Sequence, residues 1–217
     1  MSTPRTPRAT VTEVDTPMGP ARIHLSRPAD STGVLVLTHG AGGRLTAPEF
    51  APIRAAATVD GWAVALVEQA WVVAGRRMPP QPPTQDPAWL PVVAALTDKR
   101  RRLRGPVVVG GKSNGARVAC RTAHDSGAAG VLCLSFPLHP PGRPEVSRAE
   151  ELRTPLAHGI PVQVVQGRSD PFGTPEEVRA ELPSADLVTA VEGAHSFPKK
   201  PDDAVAAALE FLATLRQ

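Results

Sequence analysis

With 217 residues, 41% of them apolar and 21% charged, the chain is long enough to bury the core of one domain, and 1–217 is read as a single domain. A formal net charge of +3, scattered along the sequence, excludes a dedicated nucleic-acid binder, and no apolar run is long enough to span a membrane. The polar, proline-bearing N-terminus has no apolar segment of the kind a secretion signal carries, so cytoplasmic residence is expected, with residues 1–9 as a flexible tail.

Two short runs at 10–14 and 21–25, separated by Pro17-Met18-Gly19-Pro20, predict an antiparallel hairpin at a sheet edge. Residues 33–38 are apolar without alternation, as expected of a strand buried on both faces. Further strands are predicted at 63–67, 106–109, 130–134, 162–165 and 187–191. Helices are predicted at 48–59, 87–102, 116–124, 175–182 and 201–216. In the last of these Val205, Ala208, Leu209, Leu212 and Leu215 form the expected buried face. The run Lys99-Arg100-Arg101-Arg102-Leu103-Arg104 reads as the cationic end of a helix, complementing its dipole. Cys120 and Cys133 read as small buried hydrophobes, neither a disulfide nor a metal pair. Strands alternating with helices predict an α/β protein: a doubly wound, mostly parallel sheet with helices on both faces. The proline-rich segment 137–159 is too short for a large cap domain.

In such a sheet the functional residues gather in loops at the carboxyl ends of the strands. Those loops begin at His39, Gln69, Gly110, Ser135, Gln166 and Glu192. The third carries Gly111-Lys112-Ser113-Asn114-Gly115 between a predicted strand and a predicted helix, the setting of a nucleophile elbow. A serine hydroxyl needs a base, and the base needs an orienting partner. Asp170 follows one later strand and His195 the next, in the chain order Ser, Asp, His. Ser113 is therefore the expected nucleophile, His195 the base and Asp170 the group that fixes its tautomer.

The oxyanion donors are expected to be the backbone N–H groups of Asn114 and of Ala41 in His39-Gly40-Ala41-Gly42-Gly43, with Gly42 as the alternative to Ala41. His39 reads as a brace for that loop, and His24, His124, His139 and His158 have no comparable context. Gly111-Lys112-Ser113 also ends like a phosphate-binding loop, but its first glycine position is Pro106 and the intervening valines are strand, so that reading fails. Arg44, Arg76, Arg77 and Lys112 are candidate substrate contacts, the arginines for a carboxylate or phosphate. No metal and no cofactor are expected.

The segments Gly110-Gly111-Lys112-Ser113-Asn114-Gly115-Ala116-Arg117, Gln166-Gly167-Arg168-Ser169-Asp170-Pro171-Phe172-Gly173 and Ala194-His195-Ser196-Phe197 together resemble the α/β-hydrolase superfamily. The likeness extends over nearly the whole chain and is greatest to small, lid-poor members of the dienelactone hydrolase kind. It implies the α/β-hydrolase fold and the triad, and it names no substrate or oligomeric state. Lys112 departs from the bulkier or acidic residues often found before the serine. The expectation is a serine hydrolase that cleaves an ester or related acyl bond of a small molecule. One relative in this subgroup is a chromatin-associated regulatory subunit, so a non-catalytic binding or scaffold protein is the alternative, and an acyltransferase a further one.

Overall fold

A computed structural model describes residues 8–97 and 103–216. Eight strands form one sheet: β1 (Thr10–Thr16), β2 (Gly19–Ser26), β3 (Gly33–Thr38), β4 (Trp62–Glu68), β5 (Val107–Lys112), β6 (Gly130–Leu134), β7 (Val162–Gly167) and β8 (Val188–Val191). Their order is β1-β2-β4-β3-β5-β6-β7-β8. β1 and β2 make the predicted hairpin, and β2 also pairs antiparallel with β4, Ile23 opposite Val67. Every other pairing is parallel.

The unalternating strands follow from cover on both faces. In β3, Val34 and Val36 join one core while Leu35 and Leu37 join the other. The second core lies under two helices, α1 (Phe50–Val59) and α7 (Asp202–Thr214), which also pack on each other. The first lies under α3 (Pro82–Thr97), α4 (Asn114–Thr122), α5 (Ala149–Ala157) and α6 (Pro175–Ala180), with a single-turn helix α2 (Ala70–Val73) beside β2. Side chains differ accordingly. Central strands turn Ala63, Ala65, Val109 and Cys133 toward α3 and α4, but Leu37, Trp62, Leu132 and Leu134 toward α1 and α7. Small residues let a helix seat close to the sheet; where two helices must cover several strands, larger side chains fill the gap.

Several elements depart from expectation. α3 begins at Pro82 rather than 87 and runs through Pro87 and Pro91. Its first turns are held from outside: Gln85 donates to the Gln69 side-chain oxygen, and Asp86 takes a two-pronged bond from Arg121 on α4. Buried Trp89, Val92, Val93 and Leu96 then outweigh the missing prolyl donors. The rest of the predicted 87–102 helix, residues 98–102 including Lys99, Arg100, Arg101 and Arg102, lies outside the described residues, as do residues 1–7 of the predicted tail. β5 continues through Gly110 and Gly111 to Lys112, and α4 starts at Asn114 rather than 116, so strand and helix are separated by Ser113 alone. α2 and α5 lie in segments the sequence marks with prolines, Pro79 and Pro80 after the one, Pro155 within the other.

In α7 the fully buried face is Ala204, Ala207, Ala208, Phe211 and Leu212, one position round from the predicted stripe. Val205, Leu209 and Leu215 are only partly buried, while Ala208 and Leu212 of the predicted stripe are buried. Cys120 and Cys133 are buried free thiols with their sulfurs 3.4 Å apart, and burial pushes the Cys120 thiol well above its ordinary value.

Glycines set the approach of β5 and α4 to β3. A Cβ on Gly111 would lie 2.4 Å from the Thr38 carbonyl oxygen, and one on Gly115 2.5 Å from the same atom. Gly115→Ala is therefore expected to lower the unfolding free energy by about 1–3 kcal/mol in urea titration. Gly42→Ala, where a Cβ meets nothing within 4 Å, should stay within about 0.5 kcal/mol of the parent.

Candidate active site

Ser113 is the pivot between β5 and α4, with φ 52° and ψ −112°, a left-handed backbone that a non-glycine residue adopts only when its surroundings impose it. The surroundings do so from two sides. Its N–H donates to the Leu134 carbonyl at the end of β6 (2.9 Å), and Gly111 and Gly115 press on the end of β3. Gly40, in the loop after β3, comes so near that a Cβ there would stand 3.3 Å from the Ser113 Cβ.

His195, in the loop after β8, places Nε2 2.9 Å from the Ser113 hydroxyl oxygen. Its Nδ1 is 2.9 Å and 3.1 Å from the two carboxylate oxygens of Asp170, which follows β7. The loops can meet because Gly167 has no side chain: a Cβ there would lie 2.1 Å from the Ala194 carbonyl oxygen. Asp170 is 1% exposed and accepts from the Phe172 N–H at 2.9 Å and from Gln166 Nε2 at 3.1 Å. A carboxylate needs a donor from the ring, so Nδ1 carries the hydrogen and Nε2 is free to accept from Ser113. The Phe172 ring lies against the imidazole, centroids 4.2 Å apart.

Buried amides hold both flanking loops. Gln166, at the end of β7, accepts from the Phe136 N–H and donates to the Gly173 carbonyl as well as to Asp170. On the other side the Gln69 N–H donates to His39 Nε2 (3.1 Å), so His39 must donate from Nδ1 to the Gly40 carbonyl (2.9 Å). Gln69 in turn donates to Thr38 and accepts from Trp71 and Gln85. Burial lowers the proton affinity of His39 and keeps it neutral, as the acceptor role of its Nε2 requires.

Ser113, His195, Phe172 and the glycine-rich loop from 40 to 44 line an open cleft of about 750 Å³. Ala41, Gly42, Arg44 and Lys112 all belong to that lining. The N–H groups of Ala41 and Asn114 have no hydrogen-bond partner among the described residues. The Lys112 ammonium pairs with the buried Glu49 carboxylate at 2.9 Å. Arg76 and Arg77 are exposed on the segment between α2 and α3 and do not line the cleft, nor does any residue of 137–159. Among the described residues no group of three or more His, Cys, Asp or Glu side chains is placed to hold a metal, and no helix is long and apolar enough to cross a membrane.

Sequence reasoning missed Glu49, Gln69, Gln85 and Gln166. A fully buried-looking amide after Val164-Val165 at the end of the strand was a usable signal for Gln166, whereas nothing local marks Glu49.

A family model described as an alpha/beta hydrolase domain matches residues 31–211. No curated protein matches the sequence at a significant level. A structure from Xanthomonas campestris, described as a member of the a/b serine hydrolases without a lid, is 18% identical with a TM-score of 0.72, covering 98% of this chain and 97% of that one. An alpha-beta serine hydrolase homologue from Coxiella burnetii is 16% identical with a TM-score of 0.68, covering 99% and 98%. A Pyrococcus furiosus esterase is 15% identical with a TM-score of 0.73, covering 97% and 92%. At these identities the structures share the fold.

The His39 brace makes stability pH-dependent. The unfolded chain binds this proton near the ordinary histidine value of about 6.5, and the folded chain only at lower pH. Stability present above about pH 6.5 is therefore lost as pH falls below it. In urea titrations from pH 7.5 to 5.5, the stability gap between the parent and His39→Gln should narrow as pH falls; parallel slopes would contradict the assignment.

Proposed function

Because the chain belongs to the alpha/beta hydrolase domain family, we propose that it is a serine hydrolase cleaving an ester or related acyl bond of a small molecule. The observation that carries this reading is the continuous hydrogen-bond chain from Ser113 through His195 to the buried Asp170. Ser113 Oγ attacks the acyl carbon while its proton passes to His195 Nε2. Asp170 stabilises the imidazolium and holds its orientation. The N–H groups of Ala41 and Asn114, uncommitted elsewhere and each in or beside the cleft, receive the developing oxyanion. His195 then gives its proton to the leaving group, and the acyl group stays on Ser113. In the second half-reaction His195 takes a proton from water, the hydroxide displaces the acyl group, and the proton returns to Ser113. The chemistry needs no metal or cofactor.

An open cleft without a covering cap favours short acyl compounds over long lipids. Arg44, in the lining, is the one predicted arginine placed to meet an anionic substituent; Arg76 and Arg77 could act only through a substrate that extends beyond the cleft.

Ser113→Ala is expected to lower p-nitrophenyl acetate turnover by at least about 10⁴-fold and to abolish fluorophosphonate labelling, with an unchanged circular dichroism spectrum. Labelling that survives the substitution would refute the assignment. Asp170→Asn should cost about 10³–10⁴-fold in kcat with KM little changed, since it disturbs the imidazole tautomer rather than binding. Well-folded parent protein that neither turns over short esters nor takes the label would favour a scaffold.

A further inference from the structure

The wall of the cleft that contains Ala41 is a long, sparsely bonded segment. From 40 to 48 its internal main-chain hydrogen bonds among the described residues come down to one, from Gly43 to Gly40. Leu45 and Ala47 pack against the second core, and otherwise the segment is held by its ends. At its start stands His39, fixed by Gln69. At its far end Glu49 opens α1, with a fully buried carboxylate. One oxygen of that carboxylate is 2.9 Å from the Lys112 ammonium, and the other is buried with no hydrogen-bond partner.

Lys112 is the residue before Ser113, and its ammonium also sits 5.0 Å from the ring centroid of Phe197. Phe197 is buried and lies two residues after His195. One cation thus touches three segments of the site: the elbow that carries it, the end of the 40–48 wall, and the histidine loop. Stability alone does not call for charges here. Removing a carboxylate and an ammonium from water is costly, and a well-packed apolar pair often serves as well or better. What an ion pair adds is a fixed distance, because only one separation satisfies it, whereas apolar contacts slide.

We propose that Lys112 is a positioning residue. Its ammonium registers the 40–48 wall and the histidine loop on the elbow, and by drawing residues 46–48 against the cleft it restricts the site to short acyl groups. The acyl selection rests on the Ser113 reading above; the register of the wall does not. Thr46, Ala47 and Pro48, which line the cleft, directly precede Glu49, so the pair controls how far that wall can open.

Two variants test this. Lys112→Met/Glu49→Leu removes both charges together and leaves neither stranded; Glu49→Gln keeps an acceptor for Lys112 but weakens it. Hydrogen exchange of the bonded amides at the two ends of the wall, Gly43 (to Gly40) and Phe50 (to Ala47), is expected to accelerate about tenfold in the double variant and about two- to threefold in Glu49→Gln, with exchange in β5 and β6 unchanged. The ratio of kcat/KM for p-nitrophenyl acetate to that for the octanoate should fall about tenfold in the double variant and less in Glu49→Gln. A merely structural pair would lower Tm without moving that ratio, and this result would overturn the selection role. Unchanged exchange at the Gly43 and Phe50 amides in whichever variants fold would overturn the register itself. Should the parent protein turn over neither ester, the Ser113 reading and the acyl selection fall together, and the exchange measurement alone decides the register.

Discussion

The Thr38 carbonyl at the end of β3 is the contact on which the site depends. Gly111 and Gly115 both close on it, from positions where any side chain would collide. This double approach brings the last residues of β5 and the first turn of α4 onto the same neighbouring strand, with one residue left to reverse the chain. Ser113 is that residue, and its left-handed backbone follows from the lack of room for any other path. The same crowding brings Gly40 against Ser113, so the loop bearing Ala41 and the serine share one wall. A helix start, a strained residue and a neighbouring loop are thus placed by the absence of two methyl groups.

Around this point the structure spends few residues on rigidity and places them at loop roots. Gln166 ties the Asp170 loop to the end of β6, and Gln69 ties His39, and through it Gly40, to the end of β4. Each is a buried amide that both donates and accepts, and a group bonded at both ends has one favourable orientation. The Lys112–Glu49 pair completes the set at the far end of the 40–48 segment. The serine chemistry proposed above would require its base and oxyanion donors held within a fraction of an ångström. Loops cannot supply that precision by themselves, and their anchoring at strand ends does.

The two faces of the sheet are built differently, and the difference serves the site. α4 must begin at Ser113 and lie close over β5 and β6, so the facing side chains are small: Ala116, Ala119, Val109 and Cys133. The opposite face carries Leu37, Trp62, Leu132 and Leu134 beneath α1 and α7, whose distance from the sheet is less constrained. The segment that ends in Glu49 enters α1 on that looser side. A polar anchor is useful there because packing alone would leave the segment adjustable.

Much of the architecture was legible in the sequence. Unbroken apolar runs mark strands covered on both faces, and in a parallel sheet the ends of successive strands lie side by side. Residues 113, 170 and 195, far apart in the chain, were therefore readable as neighbours once each was seen to follow a strand. The glycine-rich loop that lines the cleft was readable for the same reason, from its place after β3. Helix α3 was only half legible: Pro87 reads as a first helical residue, and the earlier turn from Pro82 is held by bonds of Gln85 and Asp86 to the distant Gln69 and Arg121. The buried face of α7 was read correctly at Ala208 and Leu212 and missed at Ala204, Ala207 and Phe211, since periodicity marks an apolar stripe but not which edge of it turns inward.

By itself, then, the sequence determined the strand order of the chemistry: which residue types stand at which strand ends, and in what succession. Tertiary structure alone decided which side chains serve the site. Lys112 lines the cleft, and its ammonium meets Glu49, 63 residues away in the chain. Arg44 reaches the cleft while Arg76 and Arg77, alike in type and loop setting, do not. Backbone periodicity is local and fixes the lattice of strand ends, but the partner of a charged side chain depends on how distant segments approach, and no local pattern encodes that distance.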